Sequence, residues 1–261
     1  MSNILLRAIS GAIFVAILVL GILYNALSLK ILFLIISTLG LYEFYTVVGL
    51  RKNKIINTGL GVILYIANCD WLSTELPVTS IFLCICLILF ILELFDKEGH
   101  FQFAALRIVG LAYIVLPLSL LGHFDLDVSR NAGYVLSMFI LIWSNDTGAY
   151  LSGRALGKNK LFLRISPNKT IEGLIGGGIA AVCVSLILAK YLLIAPFIEL
   201  IVMALLVFIF ANLGDLVESM LKRNYGTKDS GNIIPGHGGI LDRFDAVLLT
   251  IPVIYIFLRF I

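Results

Sequence analysis

Charge is what this chain has least of. Asp, Glu, Lys and Arg make up 13% of its 261 residues, about half the share of an ordinary soluble domain. Cysteine is nearly as sparse. Cys69, Cys84, Cys86 and Cys183 do not make a disulfide framework. Cys84 and Cys86 stand two apart in an apolar run and point in different directions on a helix, so they read as small packing residues. In place of charge the chain is 60% apolar, with a mean hydropathy of +1.05. A compact water-soluble fold of this length has too little interior to hide that much apolar surface. A soluble enzyme, a secreted disulfide scaffold and a disordered chain are therefore excluded, and no nucleic-acid partner is expected.

The expected class is all-α: a polytopic membrane protein with about nine transmembrane helices. Apolar stretches long enough for such spans lie near 4–24, 27–48, 55–69, 77–95, 104–122, 132–152, 171–192, 195–217 and 245–261. The third is the shortest and is interrupted by Gly59 and Gly61. The run from Arg7 to Tyr24 superficially resembles a signal peptide. No small-residue cleavage site follows it, so it is expected to stay as the first span. Nothing alternates at period two, and strands are not expected. There is no sequence repeat and no low-complexity segment. The long connections are 153–170 and 218–244. The chain is read as one membrane domain, with N-terminal helices over 1–125 and C-terminal helices carrying the polar chemistry over 126–261.

Nine spans place the N-terminus and the loops 49–54, 96–107, 153–170 and 218–244 on one side. That side holds 15 of the Lys and Arg residues, against four on the other (Lys30, Arg130, Lys190 and Arg259). Asp70, Glu75, Asp125 and Asp127 fall on the sparse side. Basic loops stay cytoplasmic, so the N-terminus is expected inside and the C-terminus outside.

Carboxylates are costly in a membrane, which makes the few present worth weighing one by one. Glu43 and Glu93, inside or near the ends of spans two and four, suit helix packing or snorkelling to the interface as well as a functional role. After residue 143 the density of polar groups rises. Asn145 and Asp146 stand in an apolar helix, and Gly153, Arg154, Gly157, Lys158 and Lys160 follow. The stretch Ser166-Pro167-Asn168-Lys169-Thr170-Ile171-Glu172-Gly173 reads as a turn opening a helix, with Pro167 at its first position. Its N–H groups, with Lys158, Lys160 and Lys169, suit an anion, although ordinary positive-inside anchors would look the same.

The second cluster is richer. Asn212, Asp215, Glu218, Ser219 and Lys222 share a helical stripe. Arg223, Lys228 and Asp229 follow, then the glycine-rich Pro235-Gly236-His237-Gly238-Gly239, where backbone can approach a ligand closely. Asp242-Arg243-Phe244-Asp245 closes the run. Asp215, Asp242 and Asp245 brought together would make a hard oxygen site suited to Mg²⁺, and Lys222, Arg223, Lys228 and Arg243 would neutralise a polyphosphate. A salt-bridge network for packing alone leaves the His-Gly-Gly between two charged arms unexplained.

These residues resemble the signature of the phosphatidate cytidylyltransferases, the CDP-diacylglycerol synthases. Its pattern is S-x-x-K-R-x4-K-D-x-G/S/A-x2-hydrophobic-P/G-x-H-G-G-x-x-D-R-x-D. It is met from Ser219 to Asp245, with Gly231 as the small residue. Asn145-Asp146 and Ser166-Pro167-x-Lys169-Thr170-x-Glu172-Gly173 also resemble the family, so the likeness covers roughly 143–245; the first 120 residues share only their apolar spans. The resemblance implies a multi-pass, Mg²⁺-dependent homodimer of the plasma (inner) membrane with its site facing the cytoplasm. It implies that CTP and phosphatidic acid are condensed to CDP-diacylglycerol and pyrophosphate.

On that resemblance Asp215, Asp242 and Asp245 are expected to hold the metal, with room for a second cation. Lys222, Arg223 and Lys228 are expected on the triphosphate or lipid phosphate, Ser219 on a phosphate or metal-bound water, and His237 on the leaving pyrophosphate. Asn145, Asp146, Lys169 and Arg243 are expected to contact nucleotide or lipid phosphate. The rivals are a CTP-using lipid kinase, which would give CDP and a phospholipid; a CDP-alcohol phosphotransferase, whose usual pattern is missing; and an ion transporter, which has no evident use for Lys-Arg-x4-Lys-Asp beside His-Gly-Gly.

The charge asymmetry makes a direct prediction. A single cysteine at Lys158, in an otherwise cysteine-free chain, should resist a membrane-impermeant thiol reagent in intact cells and react after permeabilisation. Labelling from outside intact cells would reverse the orientation.

Overall fold

A computed structural model describes residues 3–50, 52–69, 77–96, 99–124, 129–192, 195–236 and 238–261. Helices dominate: α1 (Asn3–Tyr24), α2 (Ala26–Val47), α3 (Lys54–Asn68), α4 (Val78–Leu94), α5 (Phe101–Gly110) and α6 (Leu116–Leu120), then α7 (Ser129–Leu156), α8 (Ile171–Leu192), α9 (Phe197–Asn224) and α10 (Leu241–Arg259). A π-helical turn, Leu111–Val115, joins α5 to α6, and a 3-10 turn, Leu121–His123, follows α6. Pro117 enters just after the π turn; its missing N–H leaves a carbonyl that a widened turn accommodates.

A helix stands at each of the nine apolar stretches, and the all-α, membrane-type reading holds. Five of these segments are long and apolar enough to cross a membrane: Arg7–Tyr24, Ala26–Val47, Phe101–His123, Ile171–Tyr191 and Phe197–Asn224. The others fall short in length or in hydropathy, or, as in α10 with Asp242, Arg243 and Asp245, carry too many charges. α3 has 15 residues, about 22 Å at 1.5 Å per residue, against a hydrocarbon core of ~30 Å. Asp70, Glu75, Asp125 and Asp127, with Arg51 and Lys97, lie outside the described residues.

Two expectations about the connection 153–170 need correction. It contains a small antiparallel hairpin, β1 (Lys160–Phe162) against β2 (Ser166–Thr170), with Lys160 opposite Thr170 and Phe162 opposite Ser166. Strands are penalised where lipid faces the backbone; this hairpin is short and mostly exposed. Pro167 accordingly sits in a strand and not at a helix start. α8 begins after Thr170, whose Oγ1 accepts from the Gly173 N–H at 3.1 Å, the bond of an N-cap. Glu172 accepts from the Lys158 and Asn159 N–H groups at 3.1 and 3.2 Å and from Asn159 Nδ2 at 2.7 Å, which ties the entry of the hairpin to the first turn of α8.

The chain forms two compact units: 1–124 with 229–243, and 125–228 with 244–261. The first has its core on α2, where Phe33, Leu41, Phe44 and Tyr45 are buried with Leu64 and Tyr65 of α3. Buried phenols need partners. Tyr45 donates to the Arg107 carbonyl and Tyr65 to that of Lys30, both at 3.0 Å. Glu93 of α4 is buried against the Arg107 guanidinium of α5 and also accepts from the His100 N–H at 3.1 Å. Removing one partner of such a pair costs about 3–5 kcal/mol, so Glu93 is accounted for by packing.

In the second unit the most extensive helix pair is α7 with α8, and small residues let them approach. A Cβ on Gly177 would stand 2.7 Å from the Asn145 carbonyl oxygen and 2.9 Å from its Oδ1. Gly177→Ala should therefore destabilise the protein by about 1–3 kcal/mol, the usual cost of overpacking. It should be read as a lower unfolding midpoint in detergent; an unchanged midpoint would show that the two helices are not in this contact.

Candidate active site

The second unit gathers most of the polar residues singled out in the sequence. α7 contributes Asn145 and Asp146, the connection contributes Lys169, α9 contributes Asn212, Asp215, Ser219 and Lys222, and α10 contributes Asp245. Asn145 is fully buried. Its Oδ1 accepts from Asn212 Nδ2 at 3.3 Å, and its own Nδ2 donates to Asp146 Oδ1 at 3.3 Å. Asp215 forms an ion pair with Lys169 at 2.5 Å and accepts from Ser219 Oγ at 3.2 Å. Asp146 lies within electrostatic reach of Asp215 and Lys169, and Asp245 within reach of Asp215, Lys222 and Asp146.

These charges are not equally committed. Glu218 is wholly buried and pairs with Lys222 at 3.0 Å, one helical turn on, the lysine side chain being 12% exposed. That pair is enclosed, and Glu218 holds the Lys222 ammonium. Lys169 and Asp215 are 25% and 33% exposed. This pair is therefore more open than that of Glu218 and Lys222. Arg223 donates from Nε to the Ile165 carbonyl at 3.4 Å and from a terminal nitrogen to the Thr227 carbonyl at 3.2 Å. Lys222 and Arg223 close the last turn of α9, where cations favour the helix dipole. Lys228 is exposed.

The glycine-rich stretch belongs to the first unit. Gly236 and Gly238 have φ of +77° and +84°, a conformation that L side chains rarely adopt. The Ile234 N–H donates to the Gly238 carbonyl at 2.9 Å, closing the turn, and Arg7 of α1 lies against Gly236. His237 lies outside the described residues. Asp242, expected as a metal ligand, opens α10 and accepts from the Ser230 and Gly239 N–H groups, each at 2.9 Å to Oδ2. Ser230 Oγ returns the bond by accepting from the Asp242 N–H at 3.3 Å. Asp242 is thus engaged with backbone, and Arg243 beside it is exposed.

Glu43 is where reading by sequence fell short. It is buried, neither snorkelling nor merely packed. It accepts from the N–H groups of Ile240 and Leu241 at 3.1 and 2.9 Å and from Ser230 Oγ at 3.1 Å. A carboxylate isolated in an apolar helix was the only signal; Ser230, a variable position of the signature, gave none.

The metal question rests on donor chemistry. Among the described residues, no group of three or more His, Cys, Asp or Glu side chains is arranged to hold an ion. Mg²⁺ commonly needs only one or two carboxylates, with waters and substrate phosphates completing its shell. Asp215 and Asp245, in mutual electrostatic reach, fit that requirement.

A family model, that of the cytidylyltransferase family, matches residues 5–261. Relatives include three bacterial proteins, each named phosphatidate cytidylyltransferase. The one from Bacillus subtilis (strain 168) is 44% identical over 169 residues, which is 63% of this chain and 59% of that protein. The one from Staphylococcus haemolyticus (strain JCSC1435) is 40% identical over 190 residues, 72% of each chain. The one from Staphylococcus saprophyticus subsp. saprophyticus is 38% identical over 208 residues, 77% of each chain.

The bonds of Asp242 can be tested by themselves. Asp242→Ala leaves the Ser230 and Gly239 N–H groups without their acceptor, a loss of about 1–3 kcal/mol for each that stays dry. Limited trypsin digestion should cut faster after Lys228 and Arg243 while helix content is unchanged. Cleavage at the rate of the unsubstituted protein would show that Asp242 does not hold the loop.

Proposed function

The chain belongs to the cytidylyltransferase family, and from that membership we propose that it transfers the cytidylyl group of CTP to phosphatidic acid. The products are CDP-diacylglycerol and pyrophosphate. The observation that carries this reading is the polar set of the second unit: Asp215, Asp245, Lys169, Lys222 and Ser219 in one helical bundle of an otherwise apolar chain. The protein lies in the plasma membrane with about nine spans and its N-terminus in the cytoplasm. The site then opens toward CTP in water while the lipid substrate stays in the leaflet. It works as a homodimer.

Both reactants are anions, so the tasks of the site are positioning and charge neutralisation. A phosphate oxygen of phosphatidic acid attacks the α-phosphorus of CTP in line. The new P–O bond forms as the bond to the β-phosphate oxygen breaks, and pyrophosphate leaves with that electron pair. No general base is required, because the attacking oxygen is already ionised at neutral pH. Lys222, its ammonium oriented by Glu218, and Arg223 and Lys228 hold phosphate oxygens. Lys169 leaves Asp215 for an incoming phosphate, and Ser219 donates to a phosphate or a bound water. Asn145, Asp146 and Arg243 contact the nucleotide or the lipid head group, and His237 donates to the leaving pyrophosphate.

Asp215 and Asp245 would hold Mg²⁺. When bound, the ion neutralises charge on the CTP phosphates. Asp242, which spends its oxygens on backbone N–H groups, serves the loop and not the first coordination shell of the metal.

The test is an assay in detergent micelles with phosphatidic acid and α-labelled CTP. Label should enter the lipid fraction with release of pyrophosphate, and only when Mg²⁺ is present. Label remaining as soluble CDP while the lipid gains a phosphate would indicate a kinase instead. Asp245→Asn should lower turnover at least 100-fold, on the order of other losses of transition-state charge stabilisation, with expression and oligomer size unchanged. Full activity in that variant would overturn the assignment of Asp245.

A further inference from the structure

Asp242 accounts for one side of the glycine-rich loop; the other side is held from a helix almost two hundred positions earlier in the chain. Glu43 of α2 is 3% exposed, and an uncompensated carboxylate at such a position is very costly. Its two oxygens receive three donors. Oε1 accepts from the Ile240 N–H, and Oε2 accepts from the Leu241 N–H and from Ser230 Oγ. Ser230 precedes the Pro235–Gly239 turn, and Ile240 and Leu241 follow it, so one carboxylate joins both arms.

The glycines of the signature divide in a way that points to the same carboxylate. Gly236 and Gly238 have positive φ, but Gly231 and Gly239 do not. What excludes a side chain at these two positions is space. A Cβ at Gly239 would meet Ser230 Oγ, itself bound to Glu43, and would stand 2.5 Å from Glu43 Oε2, while one at Gly231 would meet Oε1 closer still. The loop therefore lies on Glu43 at two points besides its three hydrogen bonds. Capping α10 would explain only the Ile240 and Leu241 bonds; it explains neither Ser230 nor the two glycines.

We propose that Glu43 is a positioning residue for cytidylyl transfer, holding the signature segment 229–243 in the one shape that its own catalytic residues need. This rests on the function proposed above for its kinetic readout. A loop displaced by about 1 Å loses interactions made in the transition state more than those made in the ground state.

The experiment uses the full chain in detergent, with Glu43→Gln and Gly239→Ala assayed beside the unsubstituted protein. Glutamine keeps the size of the side chain but turns an NH₂ group toward an N–H or hydroxyl donor. Alanine at position 239 pushes a methyl into the carboxylate. Both variants should lose about 100-fold in kcat, with KM for CTP changed by less than about threefold. Gel-filtration profile and helix content should stay unchanged, and trypsin should cut faster after Lys228 and Arg243.

A kcat per folded molecule equal to that of the unsubstituted protein, with only yield or unfolding midpoint lowered, would reduce Glu43 to a packing residue and overturn the proposal. If Glu43→Gln does not fold, Gly239→Ala and Gly231→Ala decide by the same criteria. Lack of cytidylyl transfer by the unsubstituted protein would sink the functional reading instead. The trypsin comparison then decides the role of Glu43 alone, and loop cleavage at an unchanged rate in both variants would reject it.

Discussion

A carboxylate among apolar helices must find donors or a cation, because no water is at hand to solvate it. Most of the architecture around the polar residues follows from how each carboxylate meets that demand. Glu93 takes a guanidinium and one backbone N–H. Glu218 takes the lysine one turn along its own helix. Glu43 takes two backbone N–H groups and a hydroxyl from a distant loop. Asp215 takes Lys169, in a pair left partly open. The first three are enclosed, whereas the fourth is partly open.

That difference in burial separates charges that shape the protein from charges that can act on a ligand. An enclosed pair is expensive to break, so it serves as a support: Glu218 holds Lys222 in place, and Glu43 holds a loop. The pair of Lys169 and Asp215 is more open to solvent than these, which makes its members the candidates for binding a ligand. For the proposed reaction between two anions, cationic groups must be aimed before the substrates arrive. On that proposal the supports do the aiming, and the partly open Lys169 and the exposed Lys228 and Arg243 are the groups expected to meet phosphate.

The all-α class, the apolar helices and the polar stripe on α9 were all legible because they depend on local periodicity and composition. The stripe from Asn212 to Lys222 needs only the 3.6-residue repeat to be placed on one face. The connection 153–170 was misread for a related reason. Ser-Pro followed by Thr and Glu satisfies the local rules for a helix start, but those rules do not say which of two candidate caps is used. Thr170 took the role, and pairing with Lys160–Phe162 drew Ser166 and Pro167 into a strand. A hairpin of a few residues leaves almost no alternating pattern to detect.

By itself the sequence determined the membrane class, the helices and the residue types of the site. Each of these is written in neighbouring residues: apolar runs of membrane length and a signature whose spacing is local. Only the tertiary structure decided which charges are committed and which are available. It drew Asp242 into backbone hydrogen bonds, left Lys169 and Asp215 partly open, and set Glu43 under a loop 187 positions away from it at Ser230. Such pairings come from burial and close approach between segments distant in the chain. An isolated carboxylate in an apolar helix announces that it needs partners, but the folded chain alone brings them to it.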